Sequence, residues 1–201
     1  MTPPAGGDDN TEGDDNTGGQ TPPAGEVTGT TLTISRETIS NISSWTTNSY
    51  GSQNISTLNT YLSWSINGCG FIGAKLCLTD TNKAYAATTI QGQGNTDKAK
   101  QCRLGNTTSL GKIKQITVVT YNESYTPNFN LALGTSQVVG VEVPSNMVAA
   151  SSMSETSDKV NGVNRYTSVY TPTTDAGFFA IYKNTSGALY IESITVEYEL
   201  N

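Results

Sequence analysis

The sequence predicts an all-β protein, a jelly-roll-like sandwich of two sheets, and three observations carry the prediction. Short runs of aromatic and β-branched residues recur from Thr28 onward, parted by Gly, Asn, Asp and Pro. Hardly any stretch sustains the 3.6-residue apolar period of a helix. The run Gly177–Leu200, GFFAIYKNTSGALYIESITVEYEL, holds two strands, Phe178–Lys183 and Leu189–Tyr198, around the polar loop Asn184-Thr185-Ser186-Gly187. That reads as a hairpin closing a sheet, with Gly187 at the positive φ such loops need.

The chain divides at residue 26. Residues 1–26 form a spacer in which TPPAG occurs at Thr2–Gly6 and Thr21–Gly25, and GDDNT at Gly7–Thr11 and Gly13–Thr17. Beyond Met1 it has no aliphatic side chain larger than alanine and no aromatic one, so it cannot offset the entropy of ordering and is expected to be disordered. Its six acids (Asp8, Asp9, Glu12, Asp14, Asp15, Glu26) account for the whole net charge of −6. Residues 27–201 are expected to make a single sandwich domain and hold eleven acids and eleven bases. A neutral domain behind an acidic spacer has no electrostatic footprint for nucleic acid. The basic spots, Lys98 to Arg103 and Lys112 with Lys114, read as solvated strand edges. No apolar run approaches the ~20 residues of a membrane-spanning helix. Met1 directly before such a spacer leads to the expectation that an export signal has been trimmed away.

The elements follow in order. Thr28–Ile39 alternates Leu32 and Ile34 with polar residues and reads as the first strand. Ser40–Thr60 is a Ser/Thr/Asn-rich excursion anchored by Trp45, Tyr50, Ile55 and Leu58. Tyr61–Ile66 places Leu62, Trp64 and Ile66 on one face, and Asn67-Gly68 marks the turn after it. Phe71–Thr79 reads as one strand. Tyr85–Gln91 and Lys100–Leu104 are weaker strands, and Leu110–Tyr121 is a long one. Asn128–Leu133 and Val138–Val143 are expected as strands around Gly134-Thr135-Ser136. A helical turn is expected near Met147–Met153, inside the segment Ser145–Asn164. Arg165–Tyr170 is a further strand, leading to the final pair.

One echo runs inside the domain. Ile113-Lys-Gln-Ile116-Thr-Val118 matches Ile191-Glu-Ser-Ile194-Thr-Val196, with a tyrosine soon after each. Residues three apart cannot share a face of a regular strand, so a bulge is expected before Ile116 and before Ile194. The two segments are expected to be neighbouring central strands. Glu192 falls at the second bulge, where a carboxylate bonded to backbone or to Lys114 is expected.

Asn106–Val118, Leu131–Thr135 and Phe179–Tyr198 follow one recurring order: a "gkIksItv" strand, a "l.v..Gt" strand and a terminal "fFkIyN.sGalYi.SItv.Y" pair. This resembles a module of secreted and surface-anchored proteins of Bacteroidetes and Firmicutes, over roughly Leu32 to Tyr198. The resemblance implies a jelly-roll sandwich similar to galactose-binding domains, beside glycan-active or adhesive partners, and supplies no catalytic signature. Together the spacer and the Ser/Thr/Asn/Gly-rich domain resemble the mature N-terminus of a bacterial surface lipoprotein, implying a lipid anchor upstream. The segments Ser40–Thr60 and Ser145–Asn164 depart from the pattern and are where an individual specificity is expected.

Histidine is absent, which removes Ser-His-Asp and Cys-His catalysis and every histidine metal site. A glycosidase needs two facing carboxylates, whereas the acids here fall mostly in turns or on polar strand faces. No enzyme and no cofactor are expected. Cys69, Cys77 and Cys102 leave three readings open: a Cys69–Cys77 bridge about a turn at Gly70–Gly73, a Cys77–Cys102 bridge between strands, or free thiols. Without a CxxC pair or histidine, zinc is not expected. Five Asn-x-Ser/Thr sites (Asn41, Asn54, Asn106, Asn122, Asn184) are expected by chance in so Ser/Thr/Asn-rich a chain.

Ten tyrosines and two tryptophans in a chain of little charge are the distinctive feature. Sugars present flat C–H faces ringed by hydroxyls, gripped by aromatic faces and by Asn, Gln, Asp or Arg. The candidate ligand-binding residues are Trp45, Tyr50, Tyr125, Asn164, Arg165, Tyr166 and Tyr170. The competing reading is that these rings pin long loops onto the sandwich. Trp64, Tyr190 and Tyr198 read as core. The expected function is a non-catalytic carbohydrate-binding module, secreted or on the outer cell surface. Its rival is a structural or adhesive module of an appendage, phage or host-attachment system, with a protein partner.

Overall fold

Thirteen strands form in the described residues of the computed structural model, which are 26–53, 55–122 and 127–200. They are β1 (Thr31–Ser35), β2 (Leu62–Ile66), β3 (Cys69–Ala74), β4 (Leu76–Leu78), β5 (Ile90–Gly92), β6 (Cys102–Asn106) and β7 (Lys112–Asn122). There follow β8 (Asn130–Gly134), β9 (Met147–Ala149), β10 (Ser154–Val160), β11 (Val163–Tyr170), β12 (Phe178–Lys183) and β13 (Leu189–Glu199). One sheet has the order β10-β11-β7-β13-β5-β4, with β1 also on β13; the other has the order β2-β3-β6-β12-β8-β9. All the strand pairs are antiparallel. The architecture is the expected all-β sandwich.

The echo is resolved in the register of β7 and β13. Thr117 faces Thr195, with Ile116 opposite Val196 and Val118 opposite Ile194, so the two copies cross about a local two-fold. Glu192 is the extra residue between Ile191 and Ser193, and Lys114 is the extra residue where the register slips between Glu197 and Tyr198. Both bulges stand where the spacing of the isoleucines requires them. They keep Ile113, Ile116, Val118, Ile191, Ile194 and Val196 all buried toward the other sheet.

Facing them are Cys69 and Phe71 of β3, Cys102 and Leu104 of β6, Leu131 of β8, and Phe179 and Ile181 of β12, with Trp64 of β2. Trp64 stacks on Phe71, and Phe71 meets Phe179 edge-on. The second sheet is also covered on its far side. There Ile72, Ala74, Ala132, Ala180 and Tyr182 pack with Ile55, Tyr61 and Val139 from loops.

Several expectations are corrected. Phe178–Lys183 and Leu189–Tyr198 are strands joined by a short loop with Gly187 at φ +87°, but they are not a hairpin. β12 pairs with β6 and β8 in one sheet and β13 with β7, β5 and β1 in the other, so the loop carries the chain between sheets. Phe71–Thr79 is broken at Lys75 (φ +56°), where the chain leaves β3 of one sheet for β4 of the other.

Val138–Val143 is not a strand, because side chains take its carbonyls. Tyr182 Oη donates to the Val138 carbonyl at 2.8 Å and Tyr61 Oη to that of Gly140 at 2.9 Å. The Arg103 guanidinium donates to the carbonyls of Gly140, Val141 and Lys98. Arg103 is therefore no solvated edge: it is 1% exposed on an interior strand, with its guanidinium 5.7 Å from the Tyr182 ring centre. Lys112 and Lys114 lie on central β7 and pair with Asp175 and Glu199. Of Tyr85–Gln91 only the end is strand, and Met147–Met153 is a short strand followed by a 3-10 turn. Within Ser145–Asn164, β10 and β11 form a hairpin about Asn161-Gly162, both at positive φ, as at Asn67-Gly68. All three cysteines are free and buried.

Candidate ligand-binding cleft

A row of side chains crosses the outer face of the β13 sheet. Leu189 and Ile191 are buried toward the other sheet, so alternation turns Tyr190 outward. Register then places Asp158, Arg165, Tyr121, Tyr190, Gln91 and Cys77 side by side on six successive strands. Tyr85, from the turn before β5, stacks on Tyr121 at 5.0 Å between ring centres with planes 7° apart. It meets Tyr190 edge-on at 5.0 Å. These are favourable aromatic geometries and fix all three rings.

Where this cluster reaches the end of the sheet, a cleft of about 530 Å³ opens. The three tyrosines form one wall. Asn122 continues β7, Pro127 and Asn128 precede β8, and Lys183 with residues 185–189 supplies the connection between the sheets. The volume suits a ligand of one or two sugar rings. Its lining mixes aromatic rings, two amides, hydroxyls and one amine, and among the described residues it includes no carboxylate.

Arg165 governs the charge beside the cluster. It donates from Nε and Nη2 to the two Asp158 carboxylate oxygens at 3.1 and 3.0 Å, and its Nη1 lies 3.7 Å from Glu192. Glu192 is thus held by Arg165 rather than by Lys114, because the bulge turns it toward β11. Burial, followed by the nearby Glu192 charge, raises the Tyr121 pKa and keeps the phenol protonated.

No family model matches the chain, and no curated protein matches it.

The residues expected to bind ligand separate into groups. Arg165 and Asn164 come to the cleft's neighbourhood, Arg165 opposite Tyr121 and Asn164 opposite Asn122. Tyr50 is half-buried, its hydroxyl accepting from Gln91 Nε2 at 2.9 Å at the far end of the row. Trp45 is 5% exposed and meets Trp64 edge-on in the core, so it offers no face to a sugar. Tyr166 is buried, and Tyr170 packs against the core from the inner side of β11. Tyr125 lies outside the described residues.

Sequence reasoning missed Tyr85, Tyr121 and Lys183, and placed Tyr190 in the core. The signal for Tyr190 was present: it is out of phase with Leu189 and Ile191. Tyr85 gave none, because only its packing across two strands brings it to the cluster.

Proposed function

We propose that the protein is a non-catalytic carbohydrate-binding module of a secreted or cell-surface bacterial protein, and that the Tyr85–Tyr121–Tyr190 cleft is its sugar site. The observation that carries this reading is the wall of three packed tyrosines beside Asn122, Asn128, Thr185 and Ser186. Half-buried Tyr190 supplies the flat apolar face, held in place by the buried rings of Tyr85 and Tyr121, and amides and hydroxyls match the ring of sugar hydroxyls. The absence of histidine supports binding over catalysis.

One observation favours the adhesive reading. β10 is an edge strand of seven residues, six of them exposed, with its outer hydrogen-bonding groups available to an added strand. Against it, Leu58 and Leu200 are the exposed large apolar side chains among the described residues, and they form no docking patch with the polar β10.

A glycan array probed with the 201-residue chain tests the proposal, with Tyr190→Ala and Asn128→Ala alongside. Binding to a defined glycan that both substitutions weaken supports the cleft. A folded protein that binds no glycan moves the assignment to the adhesive reading. Trp45→Ala is unsuited to this test, because it would report loss of core.

A further inference from the structure

We infer that the ligand of this cleft carries an anionic group, a carboxylate or sulfate on a sugar, which Lys183 receives. The inference rests on the cleft being the sugar site. Lys183 ends β12 and is 4% exposed, yet it lines the cleft. Its Nζ donates to Thr185 Oγ1 and to the Ser186 carbonyl, both neutral. An ammonium has three N–H bonds, so one remains without an acceptor among the described residues.

A buried ammonium is costly unless an opposite charge or a full set of acceptors compensates it. Among the described residues Lys183 has neither. No acidic side chain among them lines the cleft. Asp158 and Glu192, the acids on the adjoining sheet face, are both engaged by Arg165. A buried cation short of one acceptor, bordering a tyrosine-walled cleft, is complementary to a sugar that bears a negative charge.

The test compares matched probes by calorimetry on the 201-residue chain. Oligogalacturonate is set against its methyl ester, 3′-sialyllactose against its methyl ester, and 6-sulfogalactose against galactose. The first two pairs read a carboxylate and the third a sulfate. The acidic member of at least one pair is expected to bind about tenfold more tightly than its neutral partner, equivalent to one well-placed charge contact. That advantage should shrink between about 20 mM and about 300 mM salt and vanish in Lys183→Gln.

If neutral partners bind as tightly as acidic ones, the anionic inference is overturned and the sugar site stands. If no probe binds and the glycan array is also blank, both fall. An acidic preference that Lys183→Gln leaves intact removes the assignment to Lys183. If Lys183→Gln does not fold, the acid-to-neutral ratio of the unaltered protein and its salt dependence decide the inference.

Discussion

Gly94 lies against Gly187 so closely that a Cβ on Gly94 would stand 1.9 Å from the Gly187 carbonyl oxygen and 2.3 Å from that of Thr185. Both atoms are backbone, and both belong to the connection that forms one side of the cleft. Gly94 is required for close approach, and it sets where that side of the cleft stands.

Gly94→Ala is therefore expected to fold with a loss of about 1–3 kcal/mol and to push residues 185–188 outward. Amide chemical shifts should change at 185–190, and affinity for any cleft ligand should fall although position 94 does not line the cleft. Unchanged shifts at 185–188 would mean that the strain is absorbed elsewhere.

The tyrosine cluster predicts an order of sensitivities. Tyr85 is 4% exposed and touches both other rings, whereas Tyr190 is half-buried. Tyr85→Ala should cost about 3 kcal/mol through the cavity left behind, and Tyr190→Ala about 1 kcal/mol through partial loss of apolar contact. Urea unfolding gives both values. Equal costs would show that Tyr85 does not anchor the cluster.

Arg103 is buried without a carboxylate partner among the described residues, and its worth lies in the carbonyls it holds. Arg103→Met leaves the carbonyls of Lys98, Gly140 and Val141 without that donor. A loss of about 2–4 kcal/mol is expected, with faster hydrogen exchange in residues 137–143. Lys is not expected to restore the segment, because a single ammonium cannot reproduce the planar fork. Full rescue by Arg103→Lys would show that charge alone suffices.

Alkaline pH should weaken the fold. Burial pushes Cys69 and Cys102 from 9.0 to about 12 and Cys77 to about 11, and pushes Tyr50 and Tyr182 from 10.0 to about 12. Between the unfolded and folded values the native chain keeps protons that the unfolded chain has released. Stability that is complete below these unfolded values is therefore lost as pH rises. Lys183 acts in the opposite sense: burial lowers its pKa below 10.5, so losing its proton relieves a cost as pH rises toward that value. Five raised groups outweigh one lowered amine. The urea midpoint should fall from about pH 8 to about pH 11, and less steeply in Cys102→Ala. A flat midpoint would contradict this.

What could be read from the sequence was local pattern. The spacing of Ile113, Ile116, Val118 and their echo gave both bulges, because residues three apart share the inward face only with an extra residue between them, and the repeated pattern led to the expectation that β7 and β13 are neighbours. The assignment of β12 and β13 to different sheets was not read, since a strand pattern does not name its partner. A clue was available: Phe179 to Lys183 are buried on both faces, as in a covered sheet, whereas β13 alternates. The Lys75 switch had no signature, because lysine seldom takes positive φ. β10 was missed because SETSDKV lies at an edge and needs no apolar face, although Asn161-Gly162 marked its turn. For the cleft, the aromatic principle was legible while its members were not. Tyr121 and Tyr190 are far apart in the chain and meet through register, Tyr85 joins them by packing from a turn, and Lys183 was one cation among eleven.

The placement of β13 bears on the timing of folding. This strand joins β7, β5 and β1, yet it follows all of them in the chain. During synthesis, every strand of its sheet emerges before the strand that joins the two halves. β1 must wait through more than a hundred and fifty residues for its partner, which makes its closure a late, long-range event. A nascent chain that has not reached Leu189 has three unjoined pieces of this sheet, β10-β11-β7, β5-β4 and the single strand β1. The seven-stranded sheet is therefore completed only after β13 is made.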